Sequence, residues 1–336
     1  MLLILGAIFI LGLIFANETV MPAKNFPVGE PVKIEEGMGV REIASELRVK
    51  GYIKSRSLFK FIVIVAGKAR DLKAREYYFD EPLSMIDIAR RIANGIHGVP
   101  SIKITIPEGF NLAGIAQLFE EHGMFSAEDF YAVAGKPGAN NSALADFSSA
   151  SDILREKPSG ASLEGYLFPD TYFFYKNDLP EGTVRKILEN FNEKISEDLR
   201  REVRESGKNF YEILTMASIL EEEAFEDEDR QIIAGILWKR LEAGMPLQVD
   251  ATLTYLTGKG SDRLTLDDLQ MDSLYNTYRY KGLPKGPISN PGIEAIEAAL
   301  SPESTPYLFY LSDKDGVIHY ARTFEEHKIN KAKYIR

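Results

Sequence analysis

A chain of 336 residues, with 45% hydrophobic and 27% charged side chains, has the make-up of a folded protein and room for two domains. Its net charge of −10 and the lack of a standout basic stripe exclude nucleic acid as a partner. The absence of cysteine excludes disulfides, thiolate catalysis and zinc–thiolate sites; His97, His122, His319 and His327 lack metal-ligand spacing, and no P-loop or dinucleotide fingerprint occurs, so no metal and no cofactor are expected.

Residues 1–16, MLLILGAIFILGLIFA, are uncharged and apolar. As a helix they span about 24 Å, slightly short of a bilayer core, and Thr19 to Met21 could lengthen the span. No basic residue precedes them, so they fit an N-terminal membrane anchor (1–21) better than a cleaved signal peptide. Residues 22–32, punctuated by Pro22, Pro27 and Pro31, read as a linker.

An internal repeat follows. IEEGMGVREIASELRVKGYI (34–53) resembles IPEGFNLAGIAQLFEEHGMF (106–125), 72 positions later. Each copy reads as a strand end, a glycine turn, an amphipathic helix and a glycine stop. SIKITI (101–106) alternates as a half-buried strand does. Ser57–Gly67 and Ser84–Gly95 read as helices, the second with Ser84 as its N-cap. The strand, the glycine and the helix carrying an Ile-Ala pair resemble a LysM module. That resemblance implies a small α/β subdomain over 33–100 with affinity for N-acetylglucosamine polymers.

Residues 136–163 are rich in Gly, Ser, Ala and Asn and read as loop. EGYLFPDTY (164–172) supplies aromatic faces either for a sugar cleft or for a core. Thr183–Glu205 is helical and charged. YEILTMASILEEEAFEDEDR (211–230) starts as an amphipathic helix with Ile213, Ala217, Leu220 and Ala224 as its apolar stripe. Glu221, Glu222 and Glu223 then point in three directions at about 100° per residue. Glu222 lies opposite the stripe and should face water, whereas Glu221 and Glu223 flank it. Glu223 shares its side with Met216 and Ile219, and Asp227 follows one turn on. An apolar setting and a neighbouring charge favour a protonated carboxyl, as a general acid requires. A solvated acidic helix end is the bland alternative.

Further along, Gln231–Leu241 is helical and Gly244–Tyr255 is a turn into an irregular or extended run. The loop GLPKGPISNPG (282–292) is too rich in proline and glycine for regular structure and suggests a shaped wall. Ile293–Leu300 is a short helix. Tyr307–Leu311 and Val317–Arg322, joined by a turn at Asp313–Gly316, form a β-hairpin.

Five ordered segments (EGYLFPDTY, TMASILEEEA, AGILWKRLEAGMPLQVDAT, YNTY and GLPKGPISNPG) resemble the endolytic murein transglycosylase (YceG-like) family. The resemblance implies an α+β fold: a single-pass anchor in the cytoplasmic membrane, a LysM-like subdomain, and a catalytic domain (101–336) on the periplasmic side. It implies cleavage of nascent peptidoglycan between N-acetylmuramic acid and N-acetylglucosamine to leave 1,6-anhydro ends, with peptidoglycan synthases (penicillin-binding proteins) as neighbours. The family's Glu-x-Glu falls on Glu221 and Glu223, and its catalytic residue on Glu223, with Glu221 supporting. Gln248, Asp250, Thr252, Tyr275, Asn276, Tyr278 and Asn290 are then expected to line the cleft.

The chain departs from the family pattern at Glu222, where Lys or Arg is usual, and at Ala251, Lys285 and Glu76. Two other readings remain: a hydrolase with Glu223 as acid and Asp250 or Glu164 as second carboxylate, and a glycan-binding scaffold without catalysis.

Overall fold

The two copies of the internal repeat fold alike. In the computed structural model, which describes residues 17–96, 98, 101–136, 141 and 146–335, the chain divides into two compact units, Met1–Ile102 and Lys103–Arg336. The expected anchor at residues 1–16 and His97 lie outside the described residues. Among the described residues no helix is long and apolar enough to cross a membrane.

In the first unit, strand β1 (Pro31–Lys33) leads through a turn at Gly37 into α1 (Val40–Val49), then α2 (Arg56–Val65), strand β2 (Glu76–Tyr78) and α3 (Met85–Asn94). β1 and β2 are antiparallel, with Val32 opposite Tyr77. Ile43, Ala44 and Leu47, the apolar stripe expected of α1, are buried against Phe59, Val63, Tyr77 and Phe79. Ser84 caps α3 as expected, accepting from the Asp87 N–H at 3.1 Å.

β3 (Ser101–Ile106) opens the second unit from its boundary; α4 (Leu112–Glu121) and α5 (Ala127–Ala134) then repeat that order, and β4 (Asp170–Tyr175) pairs with β3. The repeat glycines sit in matching conformations: Gly37 and Gly109 at φ 89° and 78°, Gly51 and Gly123 at φ 86° and 66°. A β-carbon is disfavoured there, which is why the glycines recur with the helix stripe.

The second unit continues with α6 (Pro180–Lys194), α7 (Glu197–Ser206), α8 (Phe210–Glu223), α9 (Asp227–Glu242), α10 (Asp250–Thr257), α11 (Leu266–Leu269) and α12 (Ile293–Leu300). The hairpin β5 (Phe309–Ser312) and β6 (Ile318–Ala321) forms where expected, with Leu311 opposite His319, and α13 (Phe324–Tyr334) packs on it. The fold is α+β: small two-stranded sheets among helices.

Two expectations are corrected. Helix α8 is not amphipathic: every residue from Ile213 to Leu220 is buried, because α9, α10 and α12 all pack against it. The run Asp250–Tyr255 is helical, although its β-branched threonines read as extended. Packing on α8 overrides that local preference.

The segment Glu164–Tyr172 is core. Tyr166, Leu167, Phe168 and Tyr172 are buried, and Phe168 stacks on Phe191 at 5.3 Å. Gly165 makes the packing possible: at φ 85°, an added β-carbon would lie 2.7 Å from Pro287. The Gly165→Ala variant should lose about 2–4 kcal/mol of stability, from the strained backbone plus overpacking, measured by thermal or chemical denaturation. An unchanged midpoint would show that the Pro287 loop gives way freely.

Candidate active site

Helix α8 starts at a reciprocal cap, Asn209 accepting from the Glu212 N–H at 2.9 Å and Glu212 accepting from Asn209 N–H at 3.0 Å. It stops at Ala224, whose backbone is extended (φ −148°, ψ 144°). The three glutamates therefore occupy the last helical turn, beside unpaired carbonyls whose partial negative charge disfavours carboxylates.

Their side chains separate as the angular spacing predicts. Glu222 is exposed. Glu221 turns inward: its Oε1 lies 3.2 Å from Arg230 Nη2, and its Oε2 accepts from the Gly292 N–H at 2.9 Å, at the start of α12. It stitches α8 to α9 and α12.

Glu223, on the other flank, is half-buried and accepts from the Tyr310 hydroxyl at 2.9 Å. Burial pushes its carboxyl up to about 7; the Tyr310 hydroxyl and the Ala251 N–H oppose the rise, while the charges of Asp250 and Glu222 add to it. Asp227 plays no part in this, contrary to expectation. It pairs with Arg230 Nη1 at 2.8 Å, because the break at Ala224 starts a new helix that carries it away.

The facing wall is the turn before α10. Gln248 has φ 54°, the only left-handed non-glycine residue among the described residues. The turn is tied down on several sides. Gln248 N–H donates to Thr277 O at 3.1 Å, Val249 N–H donates to Thr277 Oγ1 at 3.0 Å, and Arg240 Nη2 donates to Gln248 Oε1 at 3.0 Å. A strained residue held this firmly is a frequent mark of a functional site. Asp250 accepts from the Tyr278 hydroxyl at 2.5 Å. The guanidinium of Arg240 lies 5.3 Å above the Phe309 ring and donates to Leu247 O at 3.0 Å.

Glu223, Asp250, Tyr278, Gln248, Arg240 and Tyr310 thus gather at one place. The other expected cleft residues do not. Asn276 is enclosed, donating to Leu269 O and Met271 O at 3.0 and 2.9 Å. Asn290 is also enclosed: it donates to Phe110 O at 2.8 Å and accepts from Leu167 N–H at 2.8 Å. Thr252 Oγ1 donates to Val249 O at 2.8 Å, within the core. These three brace the wall rather than face a ligand, because their polar atoms are already satisfied inside the protein.

Tyr275 lines a different cavity of about 440 Å³, with Glu164, Tyr211, Lys285 and Pro287. Glu164 is sealed: Leu112 N–H, Tyr255 and Asn290 all donate to it, while burial pushes its carboxyl up to about 8.

Residues 32–333 match the YceG-like family. The chain belongs to that family. It is 34% identical over 306 residues to a Bacillus subtilis (strain 168) protein named endolytic murein transglycosylase, covering 90% of this chain and 84% of the relative. A Streptococcus pneumoniae (serotype 2, strain D39) protein of the same name is 32% identical over 321 residues; the match covers 90% of this chain but 58% of that longer protein. The crystal structure of a yceG-like protein from Listeria monocytogenes superposes with a TM-score of 0.58 at 32% identity, covering 89% of this chain and 98% of that one.

In this YceG-like chain, sequence reasoning missed Arg240 and Tyr310. Arg240 carried a signal: it continues the buried stripe Ile233, Ile236, Leu237 on α9, where a charge is out of place. Tyr310 carried none, since its hairpin was legible only as an element of the fold.

Proposed function

We propose that this chain is an endolytic peptidoglycan lytic transglycosylase, cutting nascent strands between N-acetylmuramic acid and N-acetylglucosamine and leaving 1,6-anhydro ends. The observation that carries the reading is Glu223, a carboxyl that keeps its proton to about pH 7 and has one oxygen held by Tyr310. The name shared by the B. subtilis and S. pneumoniae relatives supports it.

Cleavage requires a proton on the bridging oxygen and support for an oxocarbenium-like transition state. Protonated Glu223 supplies the proton as the C1–oxygen bond breaks. The sugar's own 6-hydroxyl then forms the new bond to C1, and the Glu223 carboxylate takes the hydroxyl proton. The carboxyl ends as it began, and no water is consumed. Asp250 and Tyr278 hold the facing side of the site, where a carboxylate stabilises developing positive charge. Gln248, exposed and fixed by Arg240, is placed to donate to a sugar hydroxyl. Asp250 is also the feature that keeps the hydrolase reading in play, since it is the second carboxylate beside Glu223.

Residues 1–16 serve as the membrane anchor in this proposal, and the second unit works on the periplasmic side, near the synthases that extrude new strands. The first unit is a LysM-like module. Its hollow of about 560 Å³, between Lys33–Glu36 and Ala74–Glu76, is where a glycan would seat.

The pH profile tests the single-carboxyl mechanism. Because the active form carries the proton, kcat/KM on uncrosslinked glycan strands should fall about tenfold per unit as pH rises beyond about 7. A fall that begins near the ordinary carboxyl pKa, roughly 4–5, would contradict the assignment.

A further inference from the structure

Helix α2 is apolar on two faces, and the core needs only one. Phe59 and Val63 are fully buried against α1 and β2. On the opposite side Ile64 and Val65 are 62% and 69% exposed. A second, exposed apolar face on a helix is a surface for protein or lipid.

The stretch of sequence that contains this helix is charged unlike the rest of the chain. Between positions 54 and 75 seven side chains are basic and one, Asp71, is acidic, in a protein of net charge −10. The overall negative balance hides this local excess, and so it was missed as a basic stripe. Lys60 lies on α2 itself, and Lys68 follows the helix end, paired at 3.1 Å with the half-buried Asp71.

The first described residue, Asn17, lies at the N-terminal end of the same helix. Lys54, just before the Ser55 cap of α2, donates from its Nζ to the Asn17 carbonyl at 2.8 Å. Val20 and Met21, which follow Asn17 closely in sequence, are exposed, at 57% and 58%.

We infer that the outer face of α2 is a docking surface for an anionic lipid bilayer. Ile64 and Val65 enter the headgroup boundary, and Lys60 and Lys68 pair with lipid phosphates. The first unit is thereby laid on the membrane rather than tethered loosely above it. The inference uses the anchor reading for proximity only, and the experiment separates the two.

The chain has no cysteine, so Val65→Cys provides a single labelling position for an environment-sensitive fluorophore. Glu36→Cys, at an exposed site on the turn between β1 and α1, is the control. The full chain is mixed with vesicles of phosphatidylcholine, alone or with about one-third phosphatidylglycerol, carrying brominated acyl chains as quencher.

The label at 65, but not at 36, should shift to the blue and lose at least about half its emission in the anionic vesicles. The Lys60→Glu/Lys68→Glu double variant should weaken that quenching at least about tenfold in apparent lipid affinity. Flotation reports the anchor. A chain that floats in every lipid while the label at 65 stays unquenched keeps its anchor and overturns the docking face. Flotation only with anionic lipid, lost in the double variant, upholds the face and removes the anchor. No flotation at all removes both. A blue-shifted but unquenched label would mean that protein covers the face, and would also overturn the inference.

Discussion

Glu223→Gln should abolish strand cleavage, lowering kcat by about 10³-fold or more, because one carboxyl performs both proton transfers and either alone contributes 10²–10⁴. The same change should leave the protein folded and make it more stable in mild alkali. In the unfolded chain Glu223 ionises near 4.5, whereas the folded protein holds the proton to about 7. The stability this side chain permits is fully present below the lower value. It is lost as pH rises through the higher one. Glutamine carries no charge and escapes the loss, so at about pH 8 the variant should gain about 1–3 kcal/mol, discounted for the partial exposure of the site. A gain in stability with a loss of activity is the signature of a group strained for function. A variant that is inactive because it unfolds would show the reverse sign.

Glu221→Ala should do the opposite. Glu221 and Arg230 are each less than one-tenth exposed, and Glu221 also receives the Gly292 N–H. Removing the carboxylate leaves the Gly292 N–H bare and takes from the buried guanidinium its one enclosed carboxylate, leaving it the Ala224 carbonyl and the exposed Asp227. The expected cost is about 3 kcal/mol, and for a unit of this size that lowers Tm by roughly 6–12 °C. Activity per folded molecule at low temperature should change only a few-fold. An unchanged Tm with lost activity would exchange the roles of Glu221 and Glu223. The pair of variants therefore tests the division of labour in the last turn of α8, two positions apart in sequence and on different sides of one helix.

That division was half legible. Helical spacing alone sent Glu222 to water and kept Glu221 and Glu223 as candidates. The resemblance put the catalytic role on Glu223, and the contacts that distinguish the two come from distant parts of the chain. Tyr310 reaches Glu223 across 87 positions and Gly292 reaches Glu221 across 71. No local pattern encodes such pairings.

Burial was misjudged for the same reason. In α8 the polar residues Thr215 and Ser218 lie off the stripe Ile213, Ala217, Leu220 and Ala224 that the sequence shows. In the structure their hydroxyls bond back to Tyr211 O and Thr215 O, so they disappear into the core without cost to the packing. Asn276 and Asn290 were expected in the cleft on the family resemblance; they instead satisfy backbone groups that the irregular loops leave bare. The repeat was legible throughout, since its glycines, helix stripe and stop signals are all local and agree with one another.

In the proposed mechanism one carboxyl, Glu223, cuts the strand by intramolecular attack. The most direct test is mass spectrometry of the fragment termini released from uncrosslinked nascent peptidoglycan by the wild-type chain and by Glu223→Gln. The account predicts muramic acid ends one water lighter than a hydrolysis product from the wild type, and no fragments from the variant. Reducing ends that contain the added water would contradict it and make Asp250 the second carboxylate of a hydrolase.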